Sequence, residues 1–187
     1  MSEVMLTPAD ATVTKVEGQG MITLRGDLGR KKLRAAVKAL TKIDVPDIRG
    51  ITTKAQASVA WMSPDELLIL VPKARIKEAV SALSTALAGD HALVADVSDA
   101  RAVFTVAGPD ARDTLAKLCP VDLALDRFSK GEMRRTRMAQ VPAAFWLSDE
   151  SAEEFTVVVF RSVGQYAYDL LQNAANSPAV GFHSAAE

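Results

Sequence analysis

One cysteine, Cys119, and two histidines, His91 and His183, are all that this sequence holds of the side chains that build most disulfides and metal cages. A lone thiol closes no internal disulfide, and histidines this far apart lack metal-ligand spacing, so no metal site and no structural zinc is expected. Net charge is equally scarce: 22 lysines and arginines face 23 aspartates and glutamates, for a formal charge of -1. No global field is present to hold a polyanion, and no nucleic-acid partner is expected. Nowhere do 18 apolar residues run together, and the opening stretch MSEVMLTPADATV carries Glu3 and Asp10 without a continuous apolar core. Neither a membrane span nor a signal peptide is expected, which points to a cytoplasmic chain.

What is present is an ordinary globular composition. Of 187 residues, 49% are apolar and 24% charged, enough to bury a core in one large domain or two small halves. GMITLRG (Gly20 to Gly26) has the content of a short strand, and in the following LRAAVKAL the residues Leu33, Ala36, Val37 and Leu40 fall at i, i+3, i+4 and i+7. That spacing predicts a helix whose other face, Lys31, Lys32, Arg34 and Lys38, is read as solvated. After a polar connection with Pro46 and Gly50, SVAWM and LLILV predict a hairpin about Ser63, Pro64 and Asp65. A helical stripe of Ile76, Ala79, Val80, Leu83 and Leu87, then the strand HALVADV, complete a β-α-β-β-α-β pattern.

The pattern restarts at RAVFTVAG (Arg101 to Gly108). GPDARDTLAKL predicts a helix with Pro109 in its first turn, Asp110 and Asp113 at its positive end, and Ala111, Leu115 and Leu118 facing inward until Pro120 stops it. Met133 to Leu147 reads as extended, with Pro142 at an edge or bulge, and FTVVVF (Phe155 to Phe160) as a core strand. A last helix is expected from Ser162, with Gln165 as its capping-box partner and Val163, Tyr166, Ala167, Leu170 and Ala174 buried. The tail NSPAVGFHSAAE has no period and is expected to fray.

Two stretches say nearly the same thing. WMSPDELLILVP (Trp61 to Pro72) and WLSDESAEEFTVVVF (Trp146 to Phe160) each precede a helical segment, and Ile22 aligns with Phe104 at an offset of 82, Trp61 with Trp146 at 85. One register thus runs through both halves. The expected fold class is α+β: tandem pseudo-duplicated ferredoxin-like β-α-β-β-α-β repeats over 20–98 and 99–177, packed as one compact unit, with an N-terminal segment 1–19 and a flexible tail 178–187. Both tryptophans are expected in the core, where each ring contributes roughly 1.5–3 kcal/mol by burial.

In their order and spacing, DVSDARAVFTVAGPDARDTLAKLCPVDL (Asp96 to Leu123), RRTRMAQVPAAFW (Arg134 to Trp146) and FTVVVFRSVGQYAYDLL (Phe155 to Leu171) resemble the gamma subunit of heterotetrameric sarcosine oxidase. The likeness covers roughly Gly20 to Ala175 and is weakest before Trp61; a broader one runs to the folate-binding fold of the glycine-cleavage T-protein. The resemblance implies a non-catalytic subunit set against alpha, with beta and delta in the same complex. That complex would support oxidative demethylation of sarcosine to glycine with one-carbon transfer to tetrahydrofolate. It also implies that the FAD, FMN, NAD, tetrahydrofolate and zinc sites belong to the other subunits, so that no cofactor is expected on this chain.

Residue by residue, the chain offers little chemistry of its own. Gly18 and Gly20 lack the third glycine and preceding strand of a dinucleotide loop. GDLGRKK sets glycines and cations at a helix start, where N–H groups can hold an anion, but a plain turn before a solvated face is the preferred account. Cys119 ends an apolar stripe and reads as an inert packing residue. Asp96, Ser98, Asp99 and Arg101 can be read as an acid/base set, or as side chains satisfying a turn. The leading functional candidate is KGEMRRTR, with Lys130, Arg134, Arg135 and Arg137. In a strand Arg135 and Arg137 share one face opposite Thr136, setting two guanidinium forks side by side for carboxylates of a partner or a folate tail. Protection of an edge strand against aggregation explains the same charges.

No catalytic, cofactor-binding or metal-ligating residue is therefore assigned, and Arg134, Arg135 and Arg137 are the candidate partner-interface residues. The alternative to a subunit role is a free-standing tetrahydrofolate-binding module of one-carbon metabolism, which requires a concave pocket with a buried carboxylate.

Overall fold

Over residues 8–181, which the computed structural model describes, aliphatic and β-branched runs form strands and the i, i+3, i+4 stripes form helices. The chain divides into two units: Glu17–Ala100, and Arg101 onward together with the segment up to Val16. Each is a mixed α+β body with a five-stranded antiparallel sheet.

Strand β1 (Thr12–Val16) opens the chain but belongs to the second unit. The first unit then runs β2 (Gln19–Arg25), α1 (Lys31–Thr41), β3 (Ile51–Lys54), β4 (Ala57–Ser63), β5 (Glu66–Pro72), α2 (Ile76–Ala86) and β6 (Leu93–Asp96), with sheet order β3-β4-β5-β2-β6. Leu33 and Val37 of α1 and Ile76 and Leu83 of α2 bury themselves against Ile22, Val59 and Ile69 of one sheet face. Each such side chain contributes about 1.5–3 kcal/mol by leaving water. Strand β3 lies where the sequence suggested only a polar connection. Three of its four residues are exposed, so it carries no apolar alternation to read.

The second unit continues with β7 (Arg101–Ala107), α3 (Ala111–Ala116), β8 (Met133–Met138), β9 (Val141–Asp149), β10 (Glu154–Phe160) and α4 (Gly164–Asn176), in sheet order β1-β7-β10-β9-β8. The stretch expected to be extended from Met133 to Leu147 is thus a hairpin. Its turn places Ala139 at φ 48, a left-handed position usually signalled by glycine or asparagine. Pro142 behaves as expected of an edge position, because pairing with β10 begins only at Ala143. The segment leading into β1 packs so closely on this unit that a Cβ on Gly108, whose φ is +124, would lie 2.5 Å from the Asp10 carbonyl oxygen.

The helix ends differ from the sequence reading. A 3-10 turn, Arg161–Val163, precedes α4, no side chain caps it, and the Gln165 amide donates to Asp169 Oδ1 at 2.8 Å instead of closing a capping box. The buried stripe rotates accordingly to Gly164, Ala167, Leu171, Ala174 and Ala175. Tyr166, expected inside, is 45% exposed, whereas the Tyr168 ring lies 5.8 Å from Phe104. Lys117 closes the other end, its Nζ donating to the carbonyls of Ala174 (2.7 Å) and Ser177 (2.9 Å). Burial pushes the Lys117 pKa below the ordinary lysine value, against the opposing pull of Asp113 and Asp110. Of the tail expected to fray, Gly181 donates its N–H to Asp113 Oδ2 at 2.7 Å, and residues 182–187 lie outside those described.

The two tryptophans do not stand in the same place. Trp61 is half-buried against the helix-side core of its sheet. Trp146, 5% exposed, alternates with Phe145 and Leu147 of the helix-side core and so stands on the opposite face of its own sheet. Pairing explains the slip: Trp61 opposes Leu67, which opposes Leu24, while the residue reached by the matching path from Val106 through Phe155 is Leu147. A one-residue shift in a strand exchanges its faces.

One polar side chain organises the second core. Arg112, 3% exposed, donates from Nη1 to the carbonyls of Leu123 (2.7 Å) and Phe128 (3.0 Å) and from Nε to Glu153 Oε1 (3.0 Å). Its guanidinium also lies 5.3 Å from the Phe155 ring. Replacing it leaves two buried carbonyls without donors and Glu153 without its cation, so Arg112→Met should cost about 3–5 kcal/mol. In thermal melts this should appear as a fall of roughly 10 °C in Tm. Glu153→Gln, at a more exposed position, should cost less.

Candidate functional site

Strand β8 is an edge strand, and its sequence MRRTRM alternates in burial: Met133 and Met138 are buried, Arg135 and Arg137 exposed, Arg134 and Thr136 intermediate. Arg135 and Arg137 oppose Ala144 and Pro142 of β9 and share a face with Met133, which opposes Trp146. The Arg137 Nη2 donates to Gln140 Oε1 at 2.8 Å across the hairpin turn. Two residues along a strand span about 7 Å, so the two guanidinium stems stand side by side above small neighbours. Such planar forks suit carboxylates.

Arg134 does not join them. From the other face its Nη2 donates to Glu132 Oε1 at 3.2 Å and its Nη1 to the Met133 carbonyl at 3.0 Å, with the guanidinium 5.1 Å from the Phe128 ring. Its charge is therefore engaged locally, and the three arginines named from sequence separate into an outward pair and an inward single. Phe128 in turn stacks with Phe145 (5.5 Å) and Phe155 (5.9 Å), which ties the start of β8 to the aromatic core held by Arg112. Sequence reasoning missed Arg112, because a charged residue one position after Ala111 reads as the solvated side of a helix stripe.

The Ser98 N–H and Oγ both donate to Asp96 Oδ1 (2.9 and 2.6 Å), and Ser98 Oγ accepts the Met21 N–H at 2.9 Å. Asp99 accepts from Lys73 Nζ at 2.8 Å, and Arg101 lies 4.0 Å over the Phe160 ring. The bonds of Ser98 to Asp96 are those of a side chain satisfying its own turn. Cys119 is buried in the core, where loss of solvation pushes its thiol up to about 12. Gly29 N–H donates to Asp27 Oδ1 at 2.9 Å, so part of the GDLGRKK loop is closed on its own aspartate. Among the described residues, no helix is long and apolar enough to cross a membrane.

Comparison with known proteins agrees with the sequence resemblance. The family model described as the GCVT N-terminal domain matches residues 47–177. A sarcosine oxidase subunit gamma from Arthrobacter sp is 29% identical over 133 residues, 71% of this chain and 64% of the relative. Another, from Corynebacterium sp. (strain P-1), is 33% identical over 95 residues, 51% of this chain and 46% of the relative. The alignments thus span less than two thirds of the curated relatives' length. A chain of the heterotetrameric sarcosine oxidase from Corynebacterium sp. U-96, solved with pyrrole 2-carboxylate, superposes with a TM-score of 0.80 at 26% identity, covering 95% of this chain and 87% of that one. The glycine cleavage system aminomethyltransferase T from Bartonella henselae shares the fold, with a TM-score of 0.65 at 12% identity over 88% of this chain and 46% of that one.

The buried thiol yields a test of packing against reactivity. At pH 8 the folded chain should resist iodoacetamide and label once unfolded. Because only the folded thiol has a raised pKa, stability should hold below the ordinary value of 9.0 and fall as pH rises toward about 12, where the unfolded chain alone ionises. Urea unfolding at pH 8 and pH 10 should show that decline reduced in Cys119→Ala.

Proposed function

We propose, on the premise that the chain belongs to the GCVT N-terminal domain family, that it serves as the non-catalytic gamma subunit of a cytoplasmic heterotetrameric sarcosine oxidase. In this reading it is seated against alpha, with beta and delta in the same complex, and supports oxidative demethylation of sarcosine to glycine with one-carbon transfer to tetrahydrofolate. Flavin, NAD, folate and zinc chemistry resides on the companion subunits. The observation that carries the reading is the superposition along nearly the whole chain with a chain of a sarcosine oxidase structure, at an identity that also reaches the sequence.

The tandem repeat belongs to the same proposal. In the sheet orders β6-β2-β5-β4-β3 and β1-β7-β10-β9-β8 the four strands β2 to β5 hold the positions of β7 to β10, and α1 and α2 stand in chain order where α3 and α4 do. This favours a duplication over 20–98 and 99–177, in which the first repeat's own last strand, β6, flanks β2, whereas β7 is flanked by β1 from the segment 1–19. Arg135 and Arg137 are the partner-facing pair, and Arg134 fixes the strand that presents them.

Tagged chain purified from its own cells grown on sarcosine should bring flavin-containing partners and sarcosine-dependent peroxide production with it; a chain recovered alone would overturn the subunit role and favour the free folate module. Within the complex, Arg135→Ala with Arg137→Ala should weaken assembly by about tenfold or more. The Tm of the isolated variant should stay near wild type, since exposed charges contribute little to folding. Unchanged assembly would return the pair to edge protection.

A further inference from the structure

Helix α1 departs from the charge balance of the chain. Every ionisable residue from Arg30 to Lys42 is a cation (Arg30, Lys31, Lys32, Arg34, Lys38 and Lys42), in a protein whose formal charge is -1. No acid lies in its first turn, so lysines stand at the positive end of the helix dipole. Arg34 with Lys38, and Lys38 with Lys42, repeat like charge at i, i+4. Both arrangements weaken an isolated helix. The inner face, through Leu33, Ala36, Val37 and Thr41, already supplies the packing that holds α1 in place.

The carboxylates nearby answer only part of this charge. Arg30 and Lys32 each lie 3.3 Å from Asp90, and Lys38 lies 2.9 Å from Asp44. Arg34 donates to the carbonyls of Leu28 and Val45, and Lys42 to that of Ala39, so among the described residues these two charges meet carbonyl oxygens. At about 100° per residue, Lys31, Ala35 and Lys38 follow one outward line with Ala39 beside it, and Lys42 stands just past the helix end at φ 62. Ala35 and Ala39 are exposed. They leave a low floor between long cationic stems, which admits close approach of another surface. The face carries no aromatic ring for stacking the bases of a single strand, and the chain's formal charge of -1 supplies no wider positive field for a duplex, which favours a protein.

From this we infer that the outer face of α1 is a docking surface for an acidic protein surface on a companion subunit. The inference rests on the subunit reading and adds a second contact, distant in sequence from β8. Partner carboxylates would supply the negative charge that the helix start lacks and relieve the repulsion along the face. The association should therefore be sensitive to salt.

The test is Lys31→Glu with Ala35→Glu, made in the tagged full-length chain and expressed in its own cells. Both substitutions suit the isolated helix, adding acids to its first half and pairing with Arg34 and Lys38 at i+3. The Tm of the purified variant should match or exceed wild type, while the flavin recovered per tagged chain falls by about tenfold or more. Lys31→Gln with Lys42→Gln, which removes charge without reversing it, should lower recovery in the same direction. Wild-type recovery by both variants would overturn the docking surface and leave the subunit role standing; a wild-type chain that brings no partner would overturn both. Binding of a short DNA duplex by the wild type, lost in the variants while flavin recovery is unchanged, would assign the face to nucleic acid and overturn the protein partner.

Discussion

The second unit depends on one buried guanidinium. Arg112 is removed from water at a cost that only a full set of partners can offset, and it finds them on three separate stretches: the carbonyls of Leu123 and Phe128, the Glu153 carboxylate and the Phe155 ring. The connection between α3 and β8 has no regular structure, yet these bonds fasten it at two carbonyls. Phe128 is thereby held against Phe145 and Phe155, and Arg134 against Phe128. The outward aim of Arg135 and Arg137 follows from that chain of contacts, because strand alternation is fixed once Arg134 is turned inward. An interior ion pair here sets the geometry of a surface strand.

Balanced composition concealed an uneven distribution of charge. The near-equality of 22 cations and 23 acids excludes a uniform field, but it does not describe the cation run from Arg30 to Lys42 or the acid-rich Asp149 to Glu154. β8 and α1 illustrate two ways of placing positive charge. On β8 small opposed residues leave room for side-by-side arginine forks, whereas on α1 lysines border an alanine floor. Planar forks favour directional bidentate pairing, and ammonium groups give a more diffuse, salt-sensitive attraction.

The parts legible in the sequence were those where apolar period and burial coincide. The stripes of α1 and α2, the β4–β5 hairpin and the strand FTVVVF all carry an inward face that repeats at 3.6 or 2 residues or runs continuously. Strands β1 and β3 were not legible, since each buries a single side chain. The paired tryptophans misled by one residue, because matching large rings ignores the register that hydrogen bonding imposes. Arg135 and Arg137 were legible as a same-face pair from alternation alone. Arg112 was not, since nothing local marks that the arginine of a short helix will be enclosed by the loop that follows it.

The membership of β1 in the second unit has a consequence for synthesis. Thr12–Val16 leaves the ribosome well before the strand it pairs with, Arg101–Ala107, which is made some ninety residues later. At ordinary elongation rates that interval is about 5–20 s, far longer than a hairpin needs to form. During it the first strand has no sheet to join, while β2, which follows after two residues, can already pair with β5. Nascent chains will therefore carry an unpaired N-terminal segment beside a partly formed sheet, and their exposure to chaperones and to misassembly on polysomes is set by translation speed between the two strands.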